Sequence, residues 1–118
     1  MALTVYHYPN CGTCKKALKW LDSNNIEYHT VHIVERPPSK LELENLVNNS
    51  ELPVKKFFNT SGKKYRELEL KDQLPNMSDE EQLELLSTNG MLIKRPVVTD
   101  GKKVTVGFKE DEFVDTWK

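Results

Sequence analysis

Leu3-Thr4-Val5-Tyr6-His7-Tyr8-Pro9-Asn10-Cys11-Gly12-Thr13-Cys14-Lys15-Lys16-Ala17-Leu18-Lys19-Trp20-Leu21 contains a strand, a turn and the start of a helix. The apolar run over residues 3–7 reads as a buried strand, and Tyr8-Pro9-Asn10 reads as a turn. A helix is expected from about Gly12 to Ser23. Cys14, Leu18 and Leu21 fall at i, i+4 and i+7, so they share one helical face. Cys14 is therefore expected to point toward the core, with Cys11 at the exposed helix start. A thiol at a helix N-terminus meets free backbone N–H groups and the positive end of the macrodipole, which favour thiolate over thiol. The thiolate is the nucleophile of thiol–disulfide exchange.

Cys11 and Cys14 are the only two cysteines in the 118-residue chain. A structural disulfide over so short a loop gains only about 2 kcal/mol on the chain-entropy view, and a chain of this length has core enough without it. Structural zinc needs four ligands, commonly from a second cysteine pair or a close histidine pair. No second cysteine pair exists, and His29 and His32 lie far along the chain from Cys11. Redox use of the pair is the leading reading; an inert thiol pair and a metal site are the alternatives, and no metal is expected.

Outward from this segment, Asn24-Asn25 ends the helix and Glu27–Ile33 alternates as a second strand. A helical crossover places that strand parallel to the first. Arg36-Pro37-Pro38 is a break. Ser39-Lys40-Leu41-Glu42 is a capping box opening a helix whose stripe is Leu43, Leu46 and Val47. Pro53 opens a short helix through Phe57-Phe58. Asn59-Thr60-Ser61-Gly62 is a turn, and Tyr65 to Leu70 a short helical turn. Ser78-Asp79-Glu80-Glu81 is a second capping box, and Asn89-Gly90 the C-terminal stop of that helix. The period then changes. Pro96–Thr99 and Lys103–Val106 flank Asp100-Gly101-Lys102, a hairpin signal. Phe113, Val114 and Trp117 mark a last amphipathic helix.

The order β-α-β, helices, β-β-α is that of a thioredoxin-like α/β fold with a mixed sheet. A single domain over 1–118 is expected, with inserted helices at about 39–90; an α/β domain of other connectivity is the alternative. Net charge is −1 at pH 7, so the whole molecule carries no signature of direct nucleic-acid binding. No apolar run approaches a membrane span, and the start has no signal-peptide pattern. A cytoplasmic location is expected, where disulfides tend to be transient or catalytic.

His7-Tyr8-Pro9-Asn10-Cys11-Gly12-Thr13-Cys14-Lys15-Lys16, Arg36-Pro37-Pro38-Ser39 and Leu92-Ile93-Lys94-Arg95-Pro96-Val97-Val98 resemble the arsenate reductase family, which includes the Spx-like redox regulators. The resemblance runs from about Thr4 to the C-terminal helix. It implies a thioredoxin-like fold with Cys11 as the nucleophile. It also implies that Arg95 lies near that cysteine and holds an oxyanion, that Pro96 is a cis-proline facing it, and that His7 stands just before the cysteine loop. The plasmid-type reductases use three arginines, and only Arg95 matches; Asn59 and Phe108 occupy the other two places. Those enzymes have serine where this chain has Cys14. The second cysteine matches the Spx-like pattern, in which the pair forms a reversible disulfide. Spx-like regulators usually continue past the last family helix, where this chain stops.

The expected function is a thiol–disulfide oxidoreductase. Cys11 attacks a disulfide or other oxidised thiol, Cys14 resolves the mixed disulfide, and Arg95 assists. Gly12, Thr13, Lys15, His7 and Pro96 are the candidates for contacting substrate. No bound cofactor is expected, only an external thiol reductant such as thioredoxin or glutathione. The alternative is a Spx-like regulator binding RNA polymerase, and arsenate reduction ranks third. Lys15 reads equally as a solvated side chain or a cation lowering the thiol pKa. His7, on a strand, reads more readily as a core histidine. Lys55-Lys56, Lys63-Lys64-Arg66 and Lys94-Arg95 are scattered basic pairs that read more readily as solvated surface than as a patch for an acidic partner, although the resemblance puts Arg95 in the site. Tyr6, Phe57, Phe58, Phe108, Phe113 and Trp117 are expected in the core.

Overall fold

The computed structural model describes residues 2–118. In chain order the elements are β1 (Leu3–His7), α1 (Gly12–Ser23), β2 (Tyr28–His32), α2 (Lys40–Ser50), α3 (Lys63–Glu67), α4 (Leu70–Gln73), α5 (Asp79–Thr88), β3 (Val97–Thr99), β4 (Val104–Val106) and α6 (Glu110–Trp117). Short 3-10 turns lie at Val54–Phe57, Leu74–Asn76 and Gly90–Leu92. The chain divides into two compact units. One comprises the chain up to His32 together with Arg95–Lys118, and the other is Ile33–Lys94.

The first unit is a mixed four-stranded sheet in the order β2-β1-β3-β4. The α1 crossover makes β1 and β2 parallel, with Leu3 opposite Tyr28 and His7 opposite His32. β3 runs antiparallel to β1, and β4 to β3. This is the thioredoxin-like arrangement that the element order implies, with the helical segment inserted between β2 and β3. Leu3 and Val5 turn one face of β1 into a core with Ala17, Trp20 and Leu21 of α1, Val98 of β3 and Phe113 of α6. The Trp20 and Phe113 rings meet edge to face with centroids 5.4 Å apart. That geometry suits the ring quadrupoles and adds to their burial.

Several expectations about this unit need correction. Tyr6 is half-buried rather than a core residue, because it alternates away from the Leu3 and Val5 face. Phe108 and Trp117 are likewise half-buried, though both pack against the core. The Trp117 indole Nε1–H donates to Thr105 Oγ1 at 3.1 Å, so that ring stays at the edge where its polar group has a partner. The hairpin loop is Asp100–Lys103, one residue longer than expected. Asp100 Oδ1 accepts from the N–H groups of Lys102 and Lys103, at 2.8 and 2.7 Å. These bonds hold the wider turn, and Gly101 takes the left-handed conformation within it (φ 96°).

In the second unit both capping boxes form. Ser39 Oγ accepts from Glu42 N–H and Glu42 Oε1 from Ser39 N–H; Ser78 and Glu81 do the same. Each satisfies two otherwise orphaned donors and is worth about 1 kcal/mol to its helix. α2 packs against α5, and Phe57, Phe58, Leu86 and Leu92 are fully buried. The stretch expected as one helical turn over Tyr65–Leu70 is two short helices, α3 and α4. They are split at Glu69, which is left-handed (φ 52°). α5 does end at Asn89-Gly90, but not through a left-handed glycine: Asn89 is extended and Gly90 opens the next 3-10 turn. Glycine is required there because a Cβ would collide with the carbonyl group of Ile33.

Candidate active site

Cys11 is the N-cap of α1. It is extended (φ −88°, ψ 118°), and its backbone N–H donates to Tyr8 O at 3.0 Å, which closes the turn before the helix. The Cys11 carbonyl accepts the first helical bond, from Lys15 N–H at 3.1 Å. In the place of the usual Ser or Asp oxygen, Cys11 Sγ accepts from the Cys14 N–H at 3.4 Å. The cap is thus made by the sulfur itself.

Three groups act on that sulfur. Partial burial pushes the Cys11 pKa up. The Cys14 N–H and thiol, and then the Arg95 guanidinium by hydrogen bond and by charge, push it down further, so the net shift is below the ordinary value. Lys15 is exposed and is not among the groups producing the shift. Of its two readings, the solvated side chain is the one the structure supports, because the side chain of that first turn points to solvent.

Cys14 behaves oppositely. It is 1% exposed, on the inner face of α1 as its spacing with Leu18 and Leu21 predicts. Burial pushes its thiol up to about 12. A backbone hydrogen bond from Tyr8 opposes this, while the Cys11 sulfur, by hydrogen bond and by charge, adds to it. Both cysteines are free thiols.

Arg95 is half-buried at the start of the β3 segment, and the Arg95–Pro96 peptide bond is cis. Its guanidinium lies 5.4 Å from the centroid of the Tyr8 ring, a cation–π distance. Gly12 and Thr13 are exposed in the first turn of α1. A Cβ at Gly12 would meet nothing within 4 Å, so packing does not require glycine there. His7 ends β1 in register with His32 of β2, ring centroids 6.3 Å apart. Its Nδ1 is buried without a hydrogen-bond partner. Burial, then the charge of His32, hold its pKa below the ordinary value. His7 is not among the groups that shift Cys11.

Two residues outside the sequence-based candidates complete this corner. Tyr8 supplies backbone bonds to both cysteines and an aromatic face to Arg95. His32 sits edge to face with Tyr8 at 5.7 Å. The signal for both is topological: a parallel β-α-β unit brings the last residues of its two strands together, and sites in such sheets form at the carboxyl ends of strands. Phe108, at one of the places where the resemblance wants an arginine, is held against Phe113 with centroids 4.7 Å apart. Among the described residues, no group of three or more His, Cys, Asp or Glu is placed to hold a metal, and no helix is long and apolar enough to cross a membrane.

The sequence matches the ArsC family over residues 6–116. The chain belongs to the ArsC family. It is 62% identical over 117 residues to YusI of Bacillus subtilis, covering 99% of each chain. It is 30% identical to the regulatory protein MgsR of B. subtilis, over 95% of this chain and 87% of that one. It is 29% identical to the global transcriptional regulator Spx of Streptococcus mutans, over 93% of this chain and 79% of that one. Among solved structures, an ArsC family related protein from Bacteroides fragilis superposes with a TM-score of 0.94 at 51% identity, covering 98% of this chain and 97% of that one. This ArsC-family chain is thus similar in fold to an ArsC-related protein and in sequence to Spx-type regulators.

Proposed function

We propose that this ArsC-family chain is a thiol–disulfide redox protein, with Cys11 as nucleophile and Cys14 as resolving thiol. The observation that carries the reading is the placement of the two sulfurs, Cys11 half-buried at the N-cap of α1 and Cys14 enclosed behind it, which lowers the first thiol and pushes the second up to about 12. A thiolate is favoured where a substrate can reach it, and a thiol is kept in reserve behind it.

The chemistry balances as follows. The Cys11 thiolate attacks one sulfur of a substrate disulfide, forming a mixed disulfide and expelling the other sulfur as a thiolate. Cys14 gives up its proton and attacks Cys11 Sγ. The second substrate sulfur leaves as a thiol once it takes up a proton, and an intramolecular Cys11–Cys14 disulfide remains. An external dithiol or two monothiols, of the thioredoxin or glutathione class, return two electrons and two protons. Arg95 holds the attacking thiolate and any anionic group of the substrate. Gly12, Thr13 and Pro96 border the place where the substrate sulfur sits. His7 and Lys15 are left with substrate contact only, since neither shifts Cys11. A reducing compartment, the cytoplasm, suits a pair that must be regenerated.

The similarity to Spx and MgsR favours a second reading. In it the same disulfide switches a surface that binds RNA polymerase, as the Spx-like resemblance implies. One experiment separates the two. A Cys14→Ser variant expressed in cells traps whatever is attached to Cys11, and mass spectrometry identifies it. A small thiol or many proteins on Cys11 is expected. An unmodified Cys11, together with RNA polymerase retained by oxidised but not by reduced wild-type chain, would replace the first reading by the second.

A further inference from the structure

Arg95 acts on Cys11 by hydrogen bond and by charge, and it does so through a long side chain with many rotamers. Such a side chain serves one sulfur only if it is held in one place. The sheet register brings a holder to it. Tyr6 of β1 lies opposite Val97 of the antiparallel β3. Continued past the ends of the two strands, that register sets Tyr8 opposite Arg95. Opposed residues of an antiparallel pair are the ones whose side chains meet. The guanidinium carbon of Arg95 lies over the Tyr8 ring, 5.4 Å from its centroid. A cation at that distance from an aromatic face is attracted by the ring quadrupole.

The ring is itself held by its neighbours. Pro9 follows Tyr8 and restricts the Tyr8 backbone to extended conformations. His32, at the end of β2, meets the Tyr8 ring edge to face, with centroids 5.7 Å apart and planes at 87°. Tyr8, His32 and Arg95 are all half-buried, and partial desolvation strengthens a cation–π contact. The Tyr8 main chain has a different task. Its carbonyl accepts from Cys11 N–H at 3.0 Å, and a backbone hydrogen bond from Tyr8 reaches Cys14. Ring and main chain are thus separable: a substitution at Tyr8 changes the first and keeps the second.

We propose that Tyr8 is a positioning residue of the redox site, its ring serving as the platform that directs the Arg95 guanidinium toward the Cys11 sulfur. The inference rests on Cys11 as the nucleophile and adds the group that keeps its cation in place. The Tyr8 hydroxyl has no part in it, because a ring face attracts a cation without one.

The test is iodoacetamide labelling with peptide mapping over about pH 6–10, on the full reduced chain. Tyr8→Leu, Tyr8→Phe, Arg95→Gln and the double variant Tyr8→Leu/Arg95→Gln are compared with wild type. Tyr8→Leu should raise the midpoint of Cys11 labelling, with the acid dissociation constant falling by about two- to fivefold, the population factor of one partly exposed cation–π contact. Tyr8→Phe should keep the wild-type midpoint. In the Arg95→Gln background Tyr8→Leu should add nothing, because both changes remove one interaction. Cys14, 1% exposed, should stay protected at pH 7 in every variant, which a loosened fold would not allow. If Tyr8→Leu opens Cys14, Tyr8→Met takes its place, since an unbranched side chain adapts to an irregular gap. An unmoved midpoint in Tyr8→Leu would overturn the proposal. So would an equal shift in Tyr8→Phe, a full second shift in the double variant, or loss of Cys14 protection in both Tyr8→Leu and Tyr8→Met. The redox reading is judged separately, on wild type alone: it fails if Cys14 labels as readily as Cys11, whatever the Tyr8 variants do.

Discussion

Alkylation of the reduced protein at pH 7 should fall on Cys11 and spare Cys14, and the structure sets a floor on the ratio. A thiol pushed up to about 12 is ionised at pH 7 to about 1 part in 100,000. Cys11 lies below the ordinary value of 9.0, so at least about 1 part in 100 is thiolate. The ionised fractions thus favour Cys11 by about 1,000-fold or more. Intrinsic nucleophilicity works the other way. With a Brønsted slope of about 0.4–0.5, the more basic sulfur recovers about 15- to 30-fold over a gap of about three in pKa. Lowering Cys11 further gains about tenfold in ionisation and loses about threefold in nucleophilicity for each tenfold rise in acidity, so the balance widens until its midpoint reaches the assay pH. The net floor is about 30-fold, before the 1% exposure of Cys14 restricts access. The assay is iodoacetamide labelling of reduced wild-type chain with peptide mapping across about pH 6–10, a range that brackets the ordinary thiol. Wild type is required because removing either sulfur removes its effect on the other. The Cys11 rate should level off below the ordinary value of 9.0, while the Cys14 rate should still be climbing at the top of the range. Labelling of Cys14 at pH 7 within a few-fold of Cys11 would refute the assignment of roles.

Arg95→Gln removes a hydrogen bond and a charge from Cys11, leaving burial less opposed. The midpoint of Cys11 alkylation should move toward the ordinary value, slowing labelling at pH 7 by up to about tenfold for each full pH step that the midpoint rises; an unmoved midpoint would show that Arg95 does not hold the thiolate. Gly90→Ala drives a Cβ into the Ile33 carbonyl and should cost about 1–3 kcal/mol, read from the urea midpoint; wild-type stability would mean the two segments part easily. Arsenate should turn over poorly with either glutathione–glutaredoxin or thioredoxin, beside measurable disulfide reduction. Efficient arsenate turnover lost in Cys11→Ser would move arsenate reduction to first place.

Local signals make most of the fold legible. β1, α1, both capping boxes and the closing helix depend on residues close together in sequence, and each forms where the pattern puts it. The misses have non-local causes. Glu69 adopts a left-handed conformation that nothing about a glutamate announces, and it splits the expected turn into α3 and α4. Gly90 looks like a helix stop from its neighbours. Its actual constraint is the backbone of Ile33, far earlier in the chain, which periodicity cannot see. Tyr6 differs: aromatic character alone points it to the core, although strand alternation already sets it opposite Leu3 and Val5.

The candidate site shows the same division. Two cysteines at a strand-to-helix turn are visible in the sequence, and their helical spacing separates an outer from an inner thiol. How they act on one another is not visible, because that depends on which sulfur caps the helix. Cys11 Sγ accepts from Cys14, so a Cys11 thiolate both attracts the Cys14 proton and repels a second negative charge. Capturing Cys11 in a mixed disulfide removes both effects at once. Burial still holds the Cys14 proton, but the neighbouring anion no longer does, while the Tyr8 backbone bond and the Arg95 charge continue to favour its loss. In the proposed reaction, deprotonation of Cys14 would thus become easier at the stage where its thiolate is needed. The reduced pair, in contrast, resists carrying two thiolates. In the proposed reaction, the order Cys11 first and Cys14 second would thus follow from the capped helix start, with no moving part.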